Sequence, residues 1–177
     1  MRKLLVVVLL SVFAFADTLV LQNGEIEVHT EVFGDSNINP KTQSIISTLK
    51  YENTIESIKG EIKISSASLK SEKEDRDKNM YELLKTDIYP NITFNITDIQ
   101  KKDEQFELTG TLTLNAVSKE VKSIVKIDEL KNTLNVNGTF LIKLTQFDIK
   151  PPKLLFLTVR DQIDIKYNLR YKKDNKW

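Results

Sequence analysis

Apolar side chains recur at every second residue through most of this chain, and that period restricts the fold more than any other feature of the sequence. The segment 91–97, for example, places Ile92, Phe94 and Ile96 between asparagine and threonine residues. Successive side chains of a β-strand point to opposite faces, so each such segment predicts a strand with one dry face. Further rows or short apolar runs occupy residues 19–21, 26–32, 45–49, 58–64, 106–114, 121–127, 134–144 and 163–169, which gives about nine runs in all.

The connections between these segments are short and polar, which is typical of an antiparallel meander. The strongest hairpin signal is Asn23-Gly24, since both residue types tolerate the positive φ of a two-residue turn. It predicts a hairpin between 19–21 and 26–32. The other predicted connections are 101–103, Asn115-Ala116 and Lys131-Asn132.

One segment departs from the period of two. Residues 76–85 place Arg76, Met80 and Leu84 at helical spacing, with Asp75 as a candidate N-cap. Tyr89-Pro90 must end any helix there, because proline lacks the backbone N–H. The segment therefore predicts one short helix in an otherwise all-β chain.

Alternation alone does not determine whether the apolar side chains of a barrel point inward or outward. An outer-membrane barrel of eight strands would also have about this length, with its apolar side chains turned outward. The polar positions here carry long charged side chains such as Lys126 and Lys143, which do not fit the narrow interior of so small a barrel. Gly110 and Gly138 on the apolar face would relieve crowding inside. A barrel with an apolar interior is favoured.

The first sixteen residues form a segment of a different kind. Arg2 and Lys3 precede an apolar run that is too short to span a membrane, and the run ends in Ala14-Phe15-Ala16. This pattern predicts a secretory signal peptide over residues 1–16, cleaved after Ala16, with no stable membrane anchor. Residues 17–177 are then one domain in the periplasm, with 24 basic against 25 acidic residues once Arg2 and Lys3 are removed.

Composition excludes several kinds of chemistry. The chain has no cysteine and a single histidine, His29, so disulfides, thiolate metal sites and a Ser-His-Asp triad are all excluded or improbable. A near-neutral charge argues against a nucleic-acid binder, which needs a basic face. We expect no metal, no cofactor and no catalytic residue. An enzyme would have to use carboxylates such as Asp75, Asp77 or Asp161 as acid and base.

Three segments follow one another in the chain: Asp75-Arg76-Asp77-Lys78-Asn79-Met80, Tyr89-Pro90-Asn91-Ile92-Thr93-Phe94, and the run from Gly110 to Lys119. In this order they resemble motifs of the YceI-like family of secreted polyisoprenoid-binding proteins. Phe147-Asp148-Ile149 and residues 159–165 look like the C-terminal strand pattern of that family. The resemblance covers roughly residues 60–170, although Asn79 stands where the family often has histidine.

The resemblance implies an extended, lipocalin-like antiparallel barrel of about eight strands plus one short helix. It also implies a lumen that holds a polyisoprenoid or another long-chain lipid, which the protein would carry, store or sense. Arg76 is a possible headgroup contact. The candidate ligand contacts, taken from the apolar positions of successive strands, are Phe94, Ile96, Phe106, Leu108, Leu112, Phe140, Ile142 and Phe147.

An alternative remains open beside the lipid-binding hypothesis. The barrel could be filled by its own side chains and act as a secreted interaction module through its outer surface or as a homodimer. Asp161 is a second open point, because it falls on the apolar parity between Val159 and Ile163. Either a bulge turns Asp161 outward or it is a buried acid that needs a partner.

Overall fold

The computed structural model of the chain describes residues 17–32, 35–154 and 157–174. The predicted signal peptide lies outside the described residues. The α-helix, α1, spans Glu74–Leu84, and two short 3-10 helices span Ser66–Ser68 and Leu144–Phe147. The strands are β1 (Asp17–Val32), β2 (Asp35–Ile38), β3 (Lys41–Thr42), β4 (Ile45–Ser47), β5 (Leu49–Glu52), β6 (Thr54–Ser65), β7 (Asn91–Lys102), β8 (Gln105–Leu114), β9 (Val117–Leu130), β10 (Thr133–Lys143), β11 (Lys153–Leu154), β12 (Leu157–Thr158) and β13 (Gln162–Asp174).

Eight strands form the barrel wall, in the order β1-β5-β6-β7-β8-β9-β10-β13, and every pairing is antiparallel. The ring closes where β1 pairs with β13, from Thr18 opposite Asp174 to His29 opposite Asp164. The predicted all-β barrel with about eight strands and one helix is confirmed. No helix within the three described ranges is long and apolar enough to cross a membrane.

The predicted turn at Asn115-Ala116 is confirmed by the backbone. Both residues have positive φ, 53° and 60°, and together they connect β8 to β9. A two-residue turn with positive φ at both positions matches the right-handed twist of the strands it joins.

The hairpin predicted at Asn23-Gly24 is wrong. β1 runs straight through these residues, and its register against β13 shifts between Leu21 and Asn23, so Gln22 is the extra residue of a β-bulge. The glycine serves close packing, since a Cβ on Gly24 would lie 2.6 Å from Leu169 Cδ2. Pairing with a strand far along the chain has outweighed the local turn preference.

The helix begins two residues earlier than predicted, and Asp75 is not its N-cap. The N-cap position is Lys73, whose side chain makes no capping hydrogen bond, and Asp75 lies inside the first turn. Acidic residues in that turn complement the partial positive charge of the helix N-terminus. Asp77 is also buried and accepts a hydrogen bond from the Ser71 N–H at 2.8 Å, which fixes the helix start to the preceding loop.

Two groups of buried apolar side chains make up the barrel core. The turn-side cluster lies toward the β7–β8 and β9–β10 turns, and the helix-side cluster lies toward α1. The turn-side cluster contains Leu19, Leu49, Tyr51, Ile58, Ile96, Ile99, Phe106, Leu108, Val125, Leu134, Val136, Leu169 and Tyr171. The helix-side cluster contains Leu84, Leu112, Leu114, Ile142, Leu144, Phe147, Ile149, Ile163 and Ile165.

Gly110 and Gly138 allow aromatic rings to lie flat against the inner wall between these clusters. A Cβ on Gly110 would lie 2.3 Å from Phe94 Cζ, and a Cβ on Gly138 would lie 2.3 Å from Tyr167 Oη. Both distances are too short for any side chain. The two glycines therefore determine where the rings of Phe94 and Tyr167 sit.

The position of the Tyr167 ring can be tested with Gly138→Ala. The added methyl group must displace a buried ring, so we expect a loss of about 1–3 kcal/mol in the free energy of unfolding, measured by urea denaturation. Thr139→Ser, on the exposed face next door, should stay within about 0.5 kcal/mol. A Gly138→Ala variant more stable than wild type would show that the ring is not held against this glycine.

Candidate functional site

A cavity of about 760 Å³ lies inside the barrel, and residues of both clusters line it. All eight wall strands and α1 contribute to its lining, which is predominantly apolar. Volumes of this size are typical of small-molecule sites. The alternating pattern that makes each strand amphipathic thus builds a lumen as well as a core.

Five of the eight predicted contacts line this cavity. The residues are Phe94, Ile96, Leu108, Leu112 and Phe140. Whether they touch a ligand stays a prediction.

The other three predicted contacts, Phe106, Ile142 and Phe147, are buried but do not line the cavity. Phe106 packs in the turn-side cluster, whereas Ile142 and Phe147 pack in the helix-side cluster. Alternation tells which face of a strand is inward, but it does not tell how far along the barrel axis a residue lies. These three residues lie in the barrel core outside the cavity lining, and their contact with a ligand stays a prediction.

Several lining residues were not among the predicted contacts, and they lie in β1, β6, β13 and α1. Val28 of β1, Ile62 of β6 and Ile165 of β13 belong to rows that were recognised as strands but not selected. Met80 and Leu83 of α1 also line the cavity. The apolar spacing of the helix was the signal that could have found these two.

Three aromatic rings follow one another across the lumen. The centroids of Phe94 and Phe140 are 6.1 Å apart, and those of Phe140 and Tyr167 are 6.3 Å apart. Distances of this order allow favourable ring–ring contact. Burial raises the pKa of Tyr167 to about 12, so the phenol stays neutral near pH 7.

Charged side chains are found at the helix end of the cavity. Arg76 and Lys153 line it together with Asp75, Asp77 and Glu82, so the acids outnumber the bases there by one. Asn79 also lines the cavity. Arg76 therefore lies where a headgroup contact was predicted, in surroundings with nearly balanced charge.

Neither of the two alternatives for Asp161 is correct, because a bulge does not turn it outward and it is not buried. It lies at the bend just before β13, is partly exposed, and accepts hydrogen bonds from the Thr145 N–H at 3.0 Å and the Thr145 hydroxyl at 2.8 Å. The carboxylate thereby holds the second 3-10 helix against the start of β13. Asp161 does not line the cavity.

His29 also lies outside the cavity lining, on the polar face of β1. Its Nδ1 is 2.5 Å from Asn39 Oδ1 and its Nε2 is 3.2 Å from Glu31 Oε1. These hydrogen bonds, the one to Asn39 first, raise the pKa of His29. The described residues contain no group of three or more His, Cys, Asp or Glu that could hold a metal ion.

The fold and the cavity define an antiparallel barrel with an enclosed apolar lumen. The YceI-like domain profile matches residues 18–171, and the chain belongs to the YceI-like family. The predicted family is confirmed.

Curated relatives match a shorter stretch. A UPF0312 protein of Pectobacterium carotovorum is 35% identical over 68 residues, which cover 37% of this chain and 35% of the relative. Protein YceI of Escherichia coli O157:H7 is 34% identical over 68 residues, covering 37% of this chain and 36% of the relative. The match thus spans about a third of the length of these relatives.

Solved structures share the fold over a larger part of the chain. BcnA of Burkholderia cenocepacia superposes with a TM-score of 0.74 at 16% identity, covering 83% of this chain and 95% of BcnA. A Campylobacter jejuni YCEI protein gives 0.65 at 20% identity, covering 80% and 88%. A polyisoprenoid binding domain from Saccharophagus degradans gives 0.64 at 11% identity, covering 89% and 98%.

An open lumen and a packed end should respond differently to truncation of a phenylalanine. Phe147 is fully buried, so Phe147→Ala should cost about 3–5 kcal/mol of unfolding free energy. Phe94→Ala should cost clearly less, because the Phe94 ring borders space that is already empty. Urea unfolding of the ligand-free protein measures both, and the neighbouring exposed Asn95→Ala should stay within about 0.5 kcal/mol. Equal losses for the two phenylalanines would favour the filled interaction module.

Proposed function

We propose that this protein binds a polyisoprenoid or a similar long-chain amphiphile in the barrel lumen. The observation that carries the proposal is the predominantly apolar cavity of about 760 Å³ inside the barrel. Membership of the YceI-like family supports it, as does the likeness in fold to the polyisoprenoid binding domain from Saccharophagus degradans. A filled interaction module would need close packing through the middle of the barrel, where this cavity lies.

The energetics set a minimum size for the ligand. Burial of one methylene group contributes about 0.8 kcal/mol, so a five-carbon isoprene unit contributes roughly 4 kcal/mol before costs. Association costs at least about 4 kcal/mol, and micromolar affinity corresponds to about 8 kcal/mol. About three buried units are therefore needed for micromolar binding. A single isoprene unit would be too weak a ligand.

A charged headgroup would stay at the helix end of the cavity, beside Arg76 and Lys153. The carboxylates of Asp75, Asp77 and Glu82 line the same region, so attraction of an anion is largely offset. Apolar length, rather than headgroup charge, then determines affinity. The protein would carry, store or sense the lipid as a binding protein and not as an enzyme.

A homologous series of prenols tests this function. We expect affinity to rise at least about tenfold for each added isoprene unit from geraniol to farnesol to geranylgeraniol, since each unit adds more than 1.4 kcal/mol. Low and high salt should give similar dissociation constants because the proposed contacts are uncharged. The measurement is displacement of a lumen-bound fluorescent fatty acid. An affinity that did not depend on chain length but fell steeply with rising salt concentration would overturn the proposal and indicate a surface site.

We also propose that the protein is exported to the periplasm. Support comes from the basic start, short apolar run and Ala14-Phe15-Ala16 of the first sixteen residues. Lipid exchange in the envelope would need such a location.

Intact mass spectrometry of the protein from the periplasmic fraction tests export. We expect a species that begins at Asp17, because signal peptidase accepts small residues at the positions of Ala14 and Ala16. A membrane-bound species that retains Met1 would contradict removal of residues 1–16 and would favour an anchor.

A further inference from the structure

A hydrogen-bonded pair of hydroxyl groups lies in the predominantly apolar wall of the lumen. Ser123 of β9 and Tyr167 of β13 both line the cavity, and their oxygens are 2.8 Å apart. The Ser123 oxygen is also 2.9 Å from the Thr139 carbonyl oxygen of β10. This pair plays no part in the proposed function as derived from apolar burial.

The Ser123 hydroxyl can donate to the Thr139 carbonyl because the backbone pairing of β9 and β10 ends next to it. β9 and β10 pair from Leu130 opposite Thr133 to Ile124 opposite Thr139, and the ladder ends there. Ser123 is the next residue of β9, and its hydroxyl hydrogen-bonds the Thr139 carbonyl at the end of the ladder. The Ser123 hydroxyl thus supplies a donor to this carbonyl at the point where the backbone ladder stops.

The number of hydroxyl protons determines which oxygen donates in the hydrogen bond between Ser123 and Tyr167. A carbonyl oxygen only accepts, so the single hydroxyl proton of Ser123 goes to Thr139. The Tyr167 hydroxyl must then donate its own proton to the Ser123 oxygen. Tyr167 Oη is left with acceptor capacity and no proton to offer a ligand.

Packing holds this acceptor in place. The Phe140 ring lies against the Tyr167 ring, and the missing side chain of Gly138 provides the space that Tyr167 Oη occupies. The phenol stays protonated near pH 7 because burial raises its pKa to about 12. The acceptor is therefore preorganised and does not change its protonation over the physiological pH range.

We propose that Tyr167 Oη is a specificity-determining hydrogen-bond acceptor inside the lumen, which selects neutral amphiphiles that carry a hydroxyl or N–H group. This inference rests on the proposed lipid-binding function and deepens it. A prenol would enter with its hydroxyl end inside and donate to Tyr167, whereas the matching methyl ether has no proton to donate. An ether oxygen placed beside Tyr167 Oη would bring two acceptors together.

The discriminating measurement is the ratio of dissociation constants for geranylgeranyl methyl ether and geranylgeraniol. In wild type we expect the alcohol to bind about two- to tenfold more tightly, the range of one net hydrogen bond. Tyr167→Phe keeps the ring, leaves Ser123 paired with Thr139 and removes only the acceptor. The ratio should then fall to one or below, because a buried hydroxyl without a partner is unfavourable.

A matched control and a second variant keep the test independent of folding defects. Tyr51→Phe removes another buried phenol oxygen, which donates to the Asn53 carbonyl and belongs to a residue outside the cavity lining, so the ratio should stay as in wild type. Ser123→Ala frees the Tyr167 proton. Tyr167 can then donate to an ether oxygen, so this variant should gain affinity for the ether and lose the discrimination.

The outcomes separate this inference from the proposed function. Equal binding of alcohol and ether by wild type, or a ratio that Tyr167→Phe and Ser123→Ala leave unchanged, would overturn the acceptor while leaving lipid binding intact. Failure of wild type to bind either geranylgeranyl compound would overturn both.

Discussion

The pairing of β1 with β13 is the interaction on which the rest of the molecule depends. It joins the first and last described strands through a ladder that runs from Thr18 opposite Asp174 to His29 opposite Asp164. Without this ladder the wall would be an open sheet with two free edges and an exposed apolar face, a state prone to aggregation. Closing such a long loop of chain has a high entropic cost, so the apolar rows of both strands must be buried to offset it.

The closed wall surrounds both tightly packed side chains and open space. Leu134 on the turn side and Phe147 on the helix side are almost completely buried and do not line the cavity. Gly110 and Gly138 provide the space into which the rings of Phe94 and Tyr167 pack. The same alternation therefore yields packed ends that stabilise the barrel and a central lumen that is free for a ligand.

The sequence predicts those features that depend on one strand at a time. Alternation identified the strands and their inward faces, and Asn115-Ala116 identified a turn, because both signals are local. The bulge at Gln22 could not be read in this way, since Asn23-Gly24 takes its conformation from pairing with β13. The positions of Phe106, Ile142 and Phe147 outside the cavity lining could not be predicted for a similar reason. Height along the barrel axis follows from strand register and tilt, which a single strand does not encode.

The closing ladder also links stability to occupancy of the lumen. Val28 of β1 and Ile165 of β13 are directly opposite each other in the ladder, and both line the cavity. A chain that fills the lumen would contact the two closing strands at once, and it would contact them only when the barrel is closed. Such a ligand stabilises the folded state by mass action, by about 2.7 kcal/mol at a hundredfold excess over its dissociation constant. Removal of such a ligand would withdraw that contribution from the strand pair whose separation would expose the lumen. If the proposed function holds, release of the ligand and loosening of the β1–β13 ladder would therefore favour each other.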